Sequence, residues 1–269
     1  MIKTDIMKDI LHTERQWSLY THFRGNKVRK ADYDYVVVPG AGADRMGMPS
    51  AWGCDMADAA AYAYQRGFAE KVICTGGLSP GDKGPYTYAK AGRLYLSRKQ
   101  RVVPAQDIVE LDWSRDTIGD IFEIVDSVRK GKLDGNRFLI IAPDYQAERI
   151  NIISNHLFGL LSKEMGRDYK VEIVKINNLY LKDNVITKRR EKEQQNIIRY
   201  QNEWEIYQSL DDFSAALQEK HGAYDKNKTA DKNMLGKKLP PDLKPQRRKW
   251  VQDQRVGKKY HKRYKGLAA

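Results

Sequence analysis

Short runs of apolar, mostly β-branched residues alternate along the chain with longer stretches in which apolar residues recur every three or four positions. Most of the short runs are continuously apolar, which is typical of parallel strands covered on both faces. They predict five strands, at residues 35–38, 71–75, 107–111, 138–142 and 170–176. The longer stretches predict helices at about 50–66, 86–98, 116–130 and 146–164. Strands and helices that alternate in this way indicate an α/β domain with a mostly parallel sheet of about five strands.

Different patterns flank this predicted domain, which spans residues 31–187. Residues 1–30 show helical spacing of their apolar positions and predict an N-terminal helical segment. Residues 188–221 predict C-terminal helices, the second of which starts at a capping box beginning with Ser209. Residues 222–269 contain few apolar side chains, so we expect a basic and mostly disordered tail there.

The positive charge of the chain is concentrated in this tail. The formal net charge is +13, from 48 Lys and Arg against 35 Asp and Glu. Residues 221–269 contain 15 Lys and Arg and 4 acidic residues, a net of 15 − 4 = +11, which leaves 13 − 11 = +2 for residues 1–220. The predicted domain is therefore close to neutral, and a general affinity for polyanions would belong to the tail.

Hydropathy and cysteine content narrow the class of protein. No apolar run approaches the roughly 20 residues of a membrane-spanning helix, and residues 1–17 lack the apolar core of a signal peptide. We therefore expect a soluble, cytoplasmic protein without a membrane partner. Cys54 and Cys74 form neither a CxxC motif nor a disulfide framework, which favours two reduced thiols over a redox or zinc site.

The carboxyl ends of the predicted strands define where a ligand would bind, because loops and helix N-termini converge at that edge of an open parallel sheet. Four loops contribute the candidate ligand-binding residues: Gly40, Gly42, Asp44 and Arg45 after the first strand, Thr75, Gly76, Gly77 and Ser79 after the second, Asp116 and Thr117 after the third, and Asp144, Tyr145, Gln146 and Arg149 after the fourth. We expect all of them on one edge of the sheet.

The glycine-rich turn after the first strand, VVVPGAGADRMG at 36–47, has two interpretations. It is not a dinucleotide fingerprint, because GxGxxG requires glycine where Arg45 stands, and it is not a Walker loop, because no Gly-Lys-Ser/Thr follows. Its glycines either cradle a phosphate or only permit tight backbone angles, and this turn alone favours neither role. The Thr-Gly-Gly turn at 75–77 repeats the arrangement, which strengthens the case for an anion or nucleotide site.

The polar candidates also have structural alternatives. Arg45 and Arg149 lie where a guanidinium would face a phosphate or carboxylate, although arginine on a solvated helix face is common. If they bind ligand, we expect that replacing either by alanine removes binding and leaves the melting temperature nearly unchanged. The stretch Ser114-Arg115-Asp116-Thr117 is typical of an N-cap followed by an acidic first turn of a helix. Alternatively, Asp116 and Thr117 bond a ribose or substrate hydroxyl, and these two roles are compatible.

The order and spacing of four short motifs resemble the YdcF/SanA/ElyC-like proteins over roughly residues 33–177. The motifs are VVVPGAG, KVICTGG, SRDT and LIIAPDYQAERI. The resemblance implies a three-layer α/β/α, Rossmann-like domain with its site at the carboxyl ends of the strands. The glycine turns, Thr117 and Arg149 match the family pattern.

Other positions depart from that pattern. This chain has Asp116 where members of the family usually place Asn, Gln146 where they place His, Met56 where they place Arg, and no acidic residue at 85–92, where they carry Glu. The missing histidine removes the natural proton carrier at neutral pH. Because none of the five histidines falls at a predicted strand end, we expect that an acid or base would have to be one of four aspartates: Asp44, Asp82, Asp116 or Asp144.

Two functional hypotheses follow. In the first, a YdcF-like domain binds a small phosphorylated or adenosyl-type ligand and acts as a transferase or hydrolase. The sequence identifies no catalytic residue, cofactor or metal ligand for this activity. In the second, the domain is a catalytically degenerate binding or assembly module, and the tail contacts nucleic acid or a ribonucleoprotein. The tail residues suited to phosphate contact and base stacking are Arg247, Arg248, Lys249, Trp250, Lys258, Lys259, Tyr260, Lys262 and Arg263. The alternative for these residues is a solvated tail that only improves solubility.

Overall fold

Five parallel strands form one sheet within the described part of the chain. The computed structural model describes residues 32–44, 46–79, 84–100, 102–176, 183–221 and 224. The strands are β1 (Tyr33–Val38), β2 (Ala69–Thr75), β3 (Ile108–Leu111), β4 (Arg137–Pro143) and β5 (Lys170–Ile176). Neighbouring strands are parallel, in the order β3-β2-β1-β4-β5. The predicted strands and the parallel sheet are therefore confirmed.

The strand order creates a crevice at the carboxyl edge of the sheet. From β1 the chain moves outward to β2 and β3, and it then crosses to the other side of β1 to form β4 and β5. The connections that leave β1 and β4 consequently run in opposite directions. The crevice between their loops is the place where open parallel sheets bind ligands.

Six α-helices accompany the strands in the described ranges: α1 (Ala51–Gln65), α2 (Tyr88–Leu94), α3 (Thr117–Arg129), α4 (Asp144–Met165), α5 (Asp183–Glu203) and α6 (Leu210–Glu219). A π-helical turn at Tyr95–Lys99 extends α2, and a 3-10 turn at Ala105–Asp107 precedes β3. Side-chain oxygens of Ser50, Asp116 and Ser209 accept N–H groups in the first turns of α1, α3 and α6. These caps fix where the three helices begin.

The helices cover both faces of the sheet, which gives the expected three layers. The first face is covered by α1 and α2, and small residues such as Ala57 and Ala60 let α1 approach the strands closely. The other face is covered by α3 and α4. From outside, α5 and α6 pack on that second layer through Tyr200, Trp204 and Phe213. The C-terminal helices therefore share one hydrophobic core with α3 and α4.

Both cysteines are free thiols, as predicted. Cys74 is fully buried, and burial raises the pKa of its thiol to about 12. Cys54 is half-buried in α1. No helix in the described ranges is long and apolar enough to cross a membrane.

Some of the sequence-based predictions lie outside the described residues. These are the N-terminal helical segment at 1–30, the side chains of Arg45 and Asp82, and the tail positions from 225 to 269.

Gly77 sets the distance between the loops that follow β2 and β3. A Cβ atom there would lie 2.5 Å from the Asp112 carbonyl oxygen and 2.7 Å from that of Ser114. We expect Gly77→Ala to lower the free energy of unfolding by about 1–3 kcal/mol, because backbone atoms must move apart. Urea denaturation measures this change.

Gly159→Ala, inside α4, is the matched control. No atom lies within 4 Å of its Cβ position, so this variant should gain about 0.5–1 kcal/mol through helix propensity. A Gly77→Ala variant as stable as the parent would contradict the close packing of the two loops.

Candidate ligand site at the carboxyl edge of the sheet

The glycine turns after β1 and β2 pack directly against each other. A Cβ on Gly76 would lie 2.9 Å from the Cα of Gly40, and Gly76 has a positive φ of 108°. The Gly40 N–H donates to Thr75 Oγ1 and to Asp120 Oδ2, both at 3.2 Å. The N–H groups of Gly76 and Gly77 donate to the carbonyls of Leu111 and Ser114. These contacts support the structural interpretation of the three glycines, since their N–H groups are already bonded within the protein.

Gly42 differs from these glycines. It has a positive φ of 81°, and no atom lies within 4 Å of the position that its Cβ would take. Nearby, Asp44 Oδ1 accepts hydrogen bonds from the N–H groups of Met46 and Met48 at 2.8 and 2.9 Å, so Asp44 closes a turn. In the loop after β2, Ser79 Oγ donates to the Arg115 carbonyl at 3.0 Å. Among the described residues of the two glycine turns, Gly42 is therefore the glycine with open space beside its backbone.

A buried carboxyl group, which the sequence analysis did not single out, lies behind the turn after β1. Asp120 is 3% exposed, and its Oδ1 accepts the Ser114 hydroxyl at 2.5 Å. Burial raises the pKa of Asp120 to about 7. Hydrogen bonds from Ser114 and Thr75 favour the charged form and lower this pKa, but their effect is smaller than that of burial. Its only signal in the sequence is an aspartate within the apolar face of α3.

Asp116 is the N-cap of α3, within the stretch predicted to begin that helix, and it also contacts the C-terminal segment. Its carboxylate accepts from the Gly119 N–H at 2.9 Å and from the Tyr224 hydroxyl at 3.1 Å, and His221 Nε2 lies 2.9 Å from Oδ2. Burial alone would raise the pKa of Asp116, but hydrogen bonds from His221, Gly119 and Tyr224 hold it below its usual range. The expectation that no histidine lies near this edge is therefore corrected: His221 reaches it from beyond α6.

Tyr224 fixes the segment after α6 against the loop that follows β3. The residue is 6% exposed, although the sequence-based boundary placed it in the tail. Its ring stacks on Trp113 with centroids 4.7 Å apart, and its hydroxyl accepts the Arg115 N–H at 2.8 Å. Gly119 provides the space, because a Cβ there would lie 1.6 Å from the Tyr224 hydroxyl oxygen.

Arg149 lies beside Thr117 and forms a buried ion pair with α5. Its Nη2 donates to Thr117 Oγ1 at 3.0 Å, and its Nε donates to Glu193 Oε2 at 2.5 Å. The two charged side chains are 13% and 9% exposed. Because removing one member of such a pair leaves a buried charge, the expectation that Arg149→Ala leaves the melting temperature unchanged is inconsistent with this geometry.

Further side chains of α5 cover the start of α4. The Arg189 guanidinium lies over the rings of Trp52 and Tyr145, 5.0 and 5.3 Å from their centroids. Arg190 pairs with Asp144 at 2.7 Å on the surface. Gln146, where the resembled family places histidine, is half-buried. The crevice between β1 and β4 is thus flanked by two aromatic rings with a cation between them.

His156 and the depression beside it lie away from the strand ends. A shallow depression of about 390 Å³ lies between α4 and α5, away from the strand ends, and includes His156. Both ring nitrogens of His156 are hydrogen-bonded, to the Tyr200 hydroxyl and the Tyr207 carbonyl, which indicates a packing role. Among the described residues, no group of three or more His, Cys, Asp or Glu side chains could hold a metal ion.

Comparison of the sequence with protein-family models and with curated proteins, and of the fold with solved structures, gives no match.

The pKa of Asp120 predicts a pH dependence of stability. Between about pH 4 and pH 7 the folded protein holds a proton on Asp120 that the unfolded chain releases, so the free energy of unfolding falls as pH rises. Asp120 contributes up to about 1.4 kcal/mol per pH unit to this fall, and the Asp120→Asn variant should lack that contribution. Denaturant unfolding at pH 5, 6 and 7 measures the slope.

Asp126→Asn, on the same helix with its carboxylate paired to Lys130 at the surface, is the control and should keep the parent slope. An Asp120→Asn variant with the parent's slope would show that Asp120 is already ionised in the folded protein at pH 5.

Proposed function

We propose that this chain is a YdcF-like protein that binds a small phosphorylated or adenosyl-type ligand in the crevice between β1 and β4. The strand order supports this location, because the connections leaving β1 and β4 diverge there. The resemblance of the four short motifs supports the choice of ligand class. Residues 32–44 and 143–149, which flank the crevice, include three of the matching positions, Gly40, Gly42 and Arg149.

The chemistry of the crevice suits a ligand with an anionic end and a planar ring. Arg149 would contact the phosphate beside the first turn of α4, which has no side-chain cap, and the open turn at Gly42 lies across the crevice. Free N–H groups at a helix N-terminus favour an anion. Trp52 and Tyr145 would stack on an adenine-type ring in the place that the Arg189 guanidinium occupies.

The observation that carries the proposal is the position of Arg149. A guanidinium this deeply buried requires a counter-charge, and in the absence of ligand Glu193 supplies it. A phosphate group would take the place of the Glu193 carboxylate, because guanidinium and phosphate match as a bidentate pair. Ligand binding at this site therefore competes with the attachment of α5.

A transferase or hydrolase activity would need a proton carrier next to the ligand. Asp116 adjoins Thr117, which contacts Arg149, and Asp116 is hydrogen-bonded to His221, so this pair is the candidate for that role. Asp44 and Asp144 are engaged in a turn and in an ion pair. In a catalysed reaction, the acid–base role would fall to Asp116 and His221.

Substitutions of Arg149 and Glu193 should change ligand affinity in opposite directions. With ADP as the probe, we expect Glu193→Gln to bind about tenfold more tightly, because the competing negative charge is gone. We expect Arg149→Gln to bind at least tenfold more weakly, since a charge-assisted hydrogen bond contributes roughly 1.5–3 kcal/mol. Isothermal titration calorimetry measures the affinities directly and is not confounded by changes in melting temperature.

Glu203→Gln is the matched control, because Glu203 is an exposed carboxylate on the same helix that pairs only with Arg199 among the described residues. Its affinity should equal that of the parent. Equal affinities in the Glu193→Gln and Arg149→Gln variants would contradict the proposed site, even if ADP bound elsewhere on the protein.

A further inference from the structure

We propose that residues 184–192, the part of α5 that precedes Glu193, form a lid over the crevice, and that Arg189 holds this lid closed. The segment is here called the α5 lid. It opens while Glu193 and the rest of α5 stay in place. The opening of the lid is independent of the ligand site, whereas its effect on ligand affinity rests on the proposed function.

Burial divides α5 into two parts. Within the described segment 184–192, every residue is exposed or half-exposed. From Glu193 onward the helix is held by buried side chains, because Glu193, Ile197 and Tyr200 are 7%, 6% and 1% exposed. Packing of apolar side chains supplies most of the free energy that keeps a helix on its neighbours. The second part of α5 is therefore firmly attached, and the α5 lid is not.

The sequence of the α5 lid also weakens its helical structure. Val185, Ile186 and Thr187 are three consecutive β-branched residues in the first two turns of α5. Branching at Cβ restricts the side chain in a helix and lowers helix propensity. In addition, the first N–H groups of any helix lack partners within it. The α5 lid therefore unwinds at a lower free energy than the middle of the helix.

Two arginines hold the α5 lid against the crevice. The Arg189 guanidinium lies 5.0 Å from the ring centroid of Trp52 and 5.3 Å from that of Tyr145, and its Nη1 donates to the Tyr145 hydroxyl at 3.4 Å. A cation between two aromatic rings is attracted to both. Arg190 pairs with Asp144 at 2.7 Å, but its side chain is 59% exposed, so this pair contributes little. Closure therefore depends mainly on Arg189.

Opening of the α5 lid empties the space between Trp52 and Tyr145 without breaking the ion pair of Glu193 with Arg149. The two ends of a ligand then meet separate competitors. Arg189 opposes the entry of a planar ring, and Glu193 opposes the binding of a phosphate. Because the closed lid excludes the ring, it lowers the apparent affinity in proportion to the closed population. Arg189 thus affects ligands that carry a ring and spares those that do not.

Amide hydrogen exchange of the full chain, followed by mass spectrometry of overlapping peptides, tests the lid without any ligand. In the parent, amides 187–192 should exchange at least about tenfold faster than amides 197–203. Arg189→Ala should speed exchange at 187–192 about fivefold further, since both ring contacts are lost, and leave 197–203 unchanged.

Lys188→Ala is the matched control for this experiment. It removes an exposed cation one position earlier in the same helix, and lysine and arginine have similar helix propensities. Exchange in this variant should equal that of the parent at both sets of amides.

Isothermal titration calorimetry tests the consequence for ligands, with ADP as one probe and inorganic pyrophosphate as a probe that has no ring. Arg189→Ala should bind ADP about fivefold more tightly than the parent does, and pyrophosphate within about twofold of the parent. Glu193→Gln should instead tighten the binding of both probes, because the charge that competes with phosphate is removed.

The two proposals can fail separately. Equal protection throughout α5, or parental exchange rates in Arg189→Ala, would overturn the lid whatever ADP does. An equal gain in affinity for ADP and pyrophosphate in Arg189→Ala would overturn the role of Arg189 at the ring position. If neither probe binds the parent, the proposed function is wrong, and the exchange rates still decide whether the lid exists.

Discussion

The attachment of the C-terminal helices depends on one buried ion pair, between Arg149 on α4 and Glu193 on α5. Both side chains lie mostly out of water, so each charge is tolerated only because the other is within hydrogen-bond distance. Ile197 and Tyr200 on α5, with Trp204 directly after the helix, add buried apolar contact. The pair determines where along α4 the helix α5 can pack, because a shifted helix would leave two unpaired charges.

The same attachment places C-terminal residues on the candidate ligand site. Glu193 neutralises the arginine predicted to bind ligand, Arg189 fills the space between Trp52 and Tyr145, and His221 and Tyr224 bond the cap of α3. If a ligand uses Arg149, its affinity and the docking of α5 are linked, and the linkage acts equally in both directions. The candidate site therefore differs from an open Rossmann-like crevice, because side chains from the C-terminal part of the same chain cover it.

The sequence is informative about the parts of this structure that are set locally. Continuous apolar runs predict the strands, because burial periodicity depends on adjacent residues. The stretches 114–117 and 209–212 predict two helix starts, because capping also involves only a few neighbouring residues. The partners of the site could not be predicted in this way. Glu193 lies 44 positions after Arg149, and Tyr224 lies 108 positions after Asp116, so nothing in the local sequence marks either contact. The histidine near the edge was missed for the same reason.

A double-mutant cycle on Arg149 and Glu193 tests most directly whether this pair holds the C-terminal helices on the site. The cycle compares the unfolding free energies of the parent, Arg149→Met, Glu193→Leu and the double variant, which replaces both charges by apolar side chains. A coupling energy of about 2–3 kcal/mol is expected, because each single variant leaves a buried unpaired charge that the double variant does not. A coupling below about 0.5 kcal/mol, as for an exposed pair, would contradict the account.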